Sequence, residues 1–143
     1  MILDYDDEFT TSGALGQGPI TATAIGAKVK DGIKAKDWAA GEPMFGIIRV
    51  TEAFNNLTSL TVSIEGADNA ALSTNPVVIA TKTILLAALL INTVHHIGAL
   101  IPGTKKQYLG MRFTVTGTAP TTGKIVGFVA QTDQRPQDGV VNL

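Results

Sequence analysis

Between positions 44 and 66 the chain reads MFGIIRVTEAFNNLTSLTVSIEG, and two stretches inside it alternate apolar and polar residues. In the second stretch Leu60, Val62 and Ile64 alternate with Thr61, Ser63 and Glu65. In the first, Met44, Ile48 and Val50 share one parity, while Arg49, Thr51 and the carboxylate of Glu52 lie on or near the other. A period of two is that of a strand with one dry and one wet face. Asn55 and Asn56 separate the two stretches and tolerate left-handed backbone, so the pattern predicts a β-hairpin. The same alternation recurs in YLGMRFTVT (108–116), with Leu109, Met111, Phe113 and Val115 on one face and Arg112, Thr114 and Thr116 on the other. With GTAPTTG (117–123) as its loop and KIVGFVAQ (124–131) as its return strand, this predicts a second hairpin. The return strand is apolar on both faces, Val126, Phe128 and Ala130 opposing Ile125 and Val129. Such a strand is covered on both sides, within the domain or by a neighbouring subunit.

Shorter signals fill in the rest. ITATAI (20–25) and positions 27–29 are expected as short strands, VVIATKTI (77–84) as a β-branched strand without cleanly separated faces, and 93–101 as another, stopped by Pro102 and Gly103. GADNAALSTNP (66–76) is a turn-rich connection. ILLAALLI (84–91) spans only about two helical turns against the roughly 20 apolar residues of a membrane span, so it reads as a turn of helix or an irregular sandwich corner. The N-terminal stretch mixes Asp4, Asp6, Asp7 and Glu8 with Ile2, Leu3, Tyr5 and Phe9, and the polar stretch 132–143 ends in Val140, Val141 and Leu143. The expected organisation is an N-terminal arm and loop (1–18), a single β-sandwich domain (19–131) and a C-terminal arm (132–143).

Composition narrows the function. A chain of 143 residues with 45% hydrophobic residues can bury one sizeable core. Its mean hydropathy of +0.24 is high for a protein that must clothe itself in polar groups, so a homo-oligomer is expected, with part of the apolar surface covered by another copy. A net charge of −1 provides no field to attract a polyanion, so nucleic acid is not an expected partner. Cysteine is absent and the acidic N-terminus has no apolar core region, so neither disulfides nor a secretory signal are expected.

No catalytic constellation emerges. His95 and His96 are neighbours on an expected strand and point to opposite faces, which prevents them from sharing a metal. The acids of DYDDE lack the glycine turn and spaced oxygens of a calcium loop, and Glu52 and Glu65 are expected at wet positions near turns. With no GxSxG, cysteine nucleophile or P-loop, the chain is expected not to be an enzyme and to need no cofactor or metal. Lys28, Lys30, Lys34 and Lys36 are interleaved with Asp31 and Asp37 and read as a solvated surface, and Trp38 as a lid over the core.

VTEAFNNLTSLTVSIEGADNAALS (50–73) resembles a family of small capsid cement proteins, also called decoration proteins, of tailed double-stranded DNA phages. The resemblance continues in MILD with a nearby Phe, in TATA (21–24) and in YLGMRFTVTGTAPTTGKI (108–125), but not through 28–38 or beyond Gln131. It implies a jelly-roll-like β-sandwich that assembles as a homo-oligomer, dimer or trimer, on the outer capsid surface of the virion after synthesis in the host cytoplasm. It also implies that the protein bridges neighbouring major capsid proteins, with no catalytic residues and no membrane partner. On that reading the expected capsid or subunit contacts are Ile2, Leu3, Tyr5, Phe9, Trp38, Phe128, Val140, Val141 and Leu143. The alternative is a non-catalytic carbohydrate- or receptor-binding sandwich of a phage tail or fibre, which would need exposed aromatic rings on one face.

Overall fold

The computed structural model describes residues 8–10, 16–38 and 44–130, and these residues form strand after strand. The strands are β1 (Ala24–Ile25), β2 (Lys30–Asp37), β3 (Phe45–Glu52), β4 (Leu57–Ala67), β5 (Val77–Leu85), β6 (Val94–Ala99), β7 (Lys105–Gly117) and β8 (Lys124–Ala130). They make two antiparallel sheets. In the larger, β1 and β2 lie one after the other along one edge of β7, followed by β4 and β5; the smaller has the order β6, β3, β8. Beyond β8, Glu8 and Gln17 bridge to Phe128 and Ile125.

The pairing is nested: β4 with β5, β3 with β6, β2 with β7, and the N-terminal residues with β8. The chain is folded double about the 68–76 loop and then rolled, so that β4 also meets β7 and β3 also meets β8. This is the wrapping of a jelly roll.

The strands therefore appear where alternation predicts them, but neither expected hairpin exists. β3 and β4 lie in different sheets, as do β7 and β8, so the Asn55–Asn56 corner and the 118–123 loop each cross from sheet to sheet. Alternation tells a strand which face to bury; it does not tell the next strand whether to lie alongside or opposite. The hairpin that does form joins β4 to β5. The two crossings are tied together. Asn55 Oδ1 accepts the amides of Thr121 (2.8 Å) and Thr122 (3.3 Å), and Glu52 Oε1 accepts that of Gly123 (3.0 Å). Gly123, at φ +135°, lies so close to the Phe54 ring that no Cβ fits between them. The 27–29 strand is displaced to β2, which runs through the lysine-rich segment, and ILLAALLI becomes the end of β5 and a 3-10 turn at Leu86–Ala88, an irregular corner.

Leu60, Val62 and Ile64 of β4 and Leu109, Met111 and Phe113 of β7 face Ile48 and Val50 of β3 and Ile125 and Val129 of β8 across the core. Phe9 joins them at 0% exposure, its amide bonded to Gly127 O at 2.8 Å. The other face of the small sheet carries a second buried cluster of Ile47, Val126, Phe128 and Ala130. Strand β8 is thus buried on both faces, and a single chain suffices to bury it.

The outer face of the large sheet departs from its expected wetness. Ser63 and Glu65 are buried, Glu65 being 7% exposed, because the 68–76 loop folds back over them. Leu72, fully buried, presses on Gly110, where a Cβ would stand 2.7 Å from Leu72 Cδ1. Arg112 clasps the arrangement, with Nε 2.9 Å from Glu65 Oε2 and Nη2 donating to Leu72 O at 2.7 Å, while Ser63 Oγ donates to Glu65 Oε1 at 3.1 Å. Asn69 Oδ1 holds the loop from within through the amides of Ser73 (2.9 Å) and Thr74 (3.0 Å).

Candidate functional site

Among the described residues no three His, Cys, Asp or Glu side chains converge in a metal-ligating group. His95 Nε2 lies 2.9 Å from Ala88 O and 3.2 Å from Thr93 Oγ1, which ties the start of β6 to the 3-10 corner. Burial, with the nearby Lys82 and His96 adding to it and the bond to Ala88 opposing it, holds the His95 pKa below its ordinary value. The ring is a structural strut. No helix among the described residues is long and apolar enough to cross a membrane.

A cavity of about 300 Å³ opens between β2 and the core, lined by Lys30, Lys36, Asp37, Trp38, Met44, Leu109 and Val129. The Trp38 ring is already engaged there. Its Nε1 donates to Lys106 O at 2.8 Å, the Lys36 ammonium sits 4.1 Å from the ring centroid, and the Gly32 backbone backs onto its edge. The lid expected from the sequence is a half-buried pillar rather than a bare stacking platform.

Of the expected contact residues, Phe9 at 0% and Phe128 at 2% exposure belong to the interior and have no surface to offer a partner. Nothing in a linear pattern distinguishes an aromatic that anchors its own sheet from one that anchors another chain, so the sequence alone leads to the expectation that both face a partner. Ile2, Leu3, Tyr5, Val140, Val141 and Leu143 lie outside the described residues.

The exposed large aliphatic side chains are elsewhere. Among the described residues, Val77, Val78 and Leu85 lie on the edge strand β5 and Ile101 lies beside it, its amide reaching Ile79 O at 3.4 Å, while Leu90 and Ile91 stand in the turn after the 3-10 corner, next to residues bonded to Val50 of β3. Ile33, on β2, stands out at 87% exposure on the opposite edge of the same sheet. With β7 and β4 between, the two edges are about 14 Å apart at the usual strand spacing. The mixed faces of VVIATKTI were the one sequence signal for the first edge; an isolated Ile33 among charges gave none. Chemically, such an arrangement can make apolar contacts with a partner surface.

A search of curated proteins finds no match for this chain. Among solved structures, a chain described as "Crystal structure of PirA" is similar at a TM-score of 0.42 and 11% identity, over 76% of this chain and 82% of that one. The Bbp16 family model matches residues 14–129, a span that takes in β1 to β7 and all but the last residue of β8. The chain belongs to the Bbp16 family.

Proposed function

We propose that this protein is a structural cement, or decoration, protein of a bacteriophage capsid, sitting on the outer surface of the virion and bridging neighbouring major capsid proteins, without catalysis. The observation that carries the reading is the placement of exposed aliphatics on two opposite edges of one sheet, the β5 flank and Ile33. A bridge needs two contact surfaces on one stiff body, and the interlocked corners at Asn55 and Gly123 supply the stiffness. Each such side chain gains about 1.5 to 3 kcal/mol when fully buried against a partner. Many copies engaging at both edges add their contributions through multivalency. A homo-oligomer on the shell fits the same logic, with the β5 flank as the larger apolar surface.

The cement-protein resemblance supports this reading from another direction. Its segments 50–73 and 108–125 are the paired strands β4 and β7, the two crossing corners and the clasped 68–76 loop, so they encode the scaffold. The tail- or fibre-module alternative is less well supported, because among the described residues the exposed large hydrophobics are aliphatic and the Trp38 ring is engaged. The test is addition of purified protein to capsids that lack it. Saturable binding at fixed stoichiometry with a raised temperature of shell disruption is expected; absence of binding to both empty and filled capsids would overturn the reading.

A further inference from the structure

We infer that the turn around Ile33 is a preformed docking knob whose isoleucine enters an apolar socket, rimmed by carboxylates, on the major capsid protein; this rests on the cement reading above. Ile33 has φ +70° and is 87% exposed. A β-branched side chain is among the least tolerated in left-handed backbone, where glycine or asparagine would sit without strain. The fold gains neither a relaxed backbone nor buried apolar area from an isoleucine here.

The strained conformation is nevertheless firmly built. Asp31 Oδ1 accepts the Ile33 amide at 2.7 Å and the Gln107 side-chain amide at 3.0 Å, bracing the turn from within its own strand and from β7. Gly32 packs against the Trp38 ring, where a Cβ would lie 3.0 Å from Cζ2. The ring in turn is fixed by Lys106 O on its edge and by Lys36 near its face. A knob held this way loses little conformational freedom on docking, which favours affinity.

The surroundings specify the socket. The Asp31 carboxylate is turned onto its own turn, and Asp37 Oδ2 accepts the Gly103 amide at 2.7 Å, while Lys34 and Lys105 are exposed. Lys105 lies directly across from Asp37 in the β2–β7 ladder. Lys34, Lys36 and Lys105 outnumber Asp31 and Asp37, each of which also accepts a backbone amide of the fold, so the surroundings are net cationic and are complemented by an apolar pocket with an acidic rim.

Wild type, Ile33→Gly and the double variant K34E/K105E are compared for thermal stability, sedimentation and affinity for capsids lacking the protein. Ile33→Gly should melt at or above the wild-type temperature, keep its oligomeric state and bind capsids about tenfold or more weakly. K34E/K105E should also bind more weakly and show a flatter dependence on salt. Wild-type affinity in Ile33→Gly, or a lowered melting temperature that makes the residue structural, overturns the inference alone. Lost self-association with intact capsid binding would also overturn it, by reassigning the socket to a second copy. Failure of the wild type itself to bind capsids removes the cement reading together with the knob.

Discussion

Replacing Arg112 with methionine tests whether the clasp on the 68–76 loop stabilises the fold. The substitution keeps the aliphatic bulk and removes the guanidinium, leaving Glu65, whose side chain is 9% exposed, with only the Ser63 hydroxyl as a donor. Stranding a fully buried carboxylate costs about 3 to 5 kcal/mol, and because the Arg112 side chain is 28% exposed, water will relieve part of this, leaving about 2 to 3. Losing the bond from Nη2 to Leu72 O adds about 1 kcal/mol. A loss of about 3 to 4 kcal/mol is a large share of a total stability of about 5 to 15 and corresponds to a Tm lower by about 10 °C. Urea unfolding followed by the fluorescence of Trp38, the single tryptophan, measures it directly. Glu65→Met combined with Arg112→Met removes both charges and should recover most of the loss, because an apolar pair of similar volume is often neutral. The reasoning is refuted if the two single effects simply add, with a coupling below about 0.5 kcal/mol, since the clasp would then be no stronger than a surface ion pair.

Val62→Asp should abolish soluble expression, because the side chain is fully buried, whereas Thr61→Asp, on the other face and bonded at the surface to Thr83, should shift the melt only slightly; similar melts for the two would refute the assigned faces. Phe9→Ala should cost about 3 to 5 kcal/mol in denaturant unfolding, and an unchanged midpoint would show that the N-terminal residues do not complete the small sheet. Because the folded His95 takes up a proton less readily than the unfolded one, stability is full above its ordinary pKa of 6.5 and is lost as pH falls below it; His95→Gln should flatten the melting profile between about pH 7.5 and 5.5, and parallel profiles would refute the assignment.

The positions and inward faces of β4 and β7 were legible because alternation is a property of a single strand. Sheet membership was not, because it depends on where a strand far away in sequence ends up, and the Asn55 corner looks locally like a hairpin turn whichever way it leads. Glu65 looks wet in the sequence for a related reason: its cover is a loop folding back, pinned by Arg112 some 47 positions later. The two-sided burial of β8 was legible from its unbroken apolar run. Of the surfaces now placed at the two edges of the large sheet, only the irregular faces of β5 left a trace in the sequence. Exposure at Ile33 follows from β2 being an edge strand interrupted between Asp31 and Lys36, which composition does not reveal.

The nested pairing also sets an order of events during synthesis. The β4–β5 hairpin can close as soon as its loop has left the ribosome, and each further pair encloses the one before. The outermost contact waits longest: the Gly127 amide donates to Thr10 Oγ1 across 117 positions of sequence. Such non-local topologies fold in milliseconds to seconds rather than microseconds. Until β8 emerges, β3 has one unpaired edge and Phe9 has no core to enter, so a stalled or truncated nascent chain displays the very elements that promote aggregation. Damage near the C-terminal end of β8 should therefore harm yield in the cell far more than the few contacts removed would suggest.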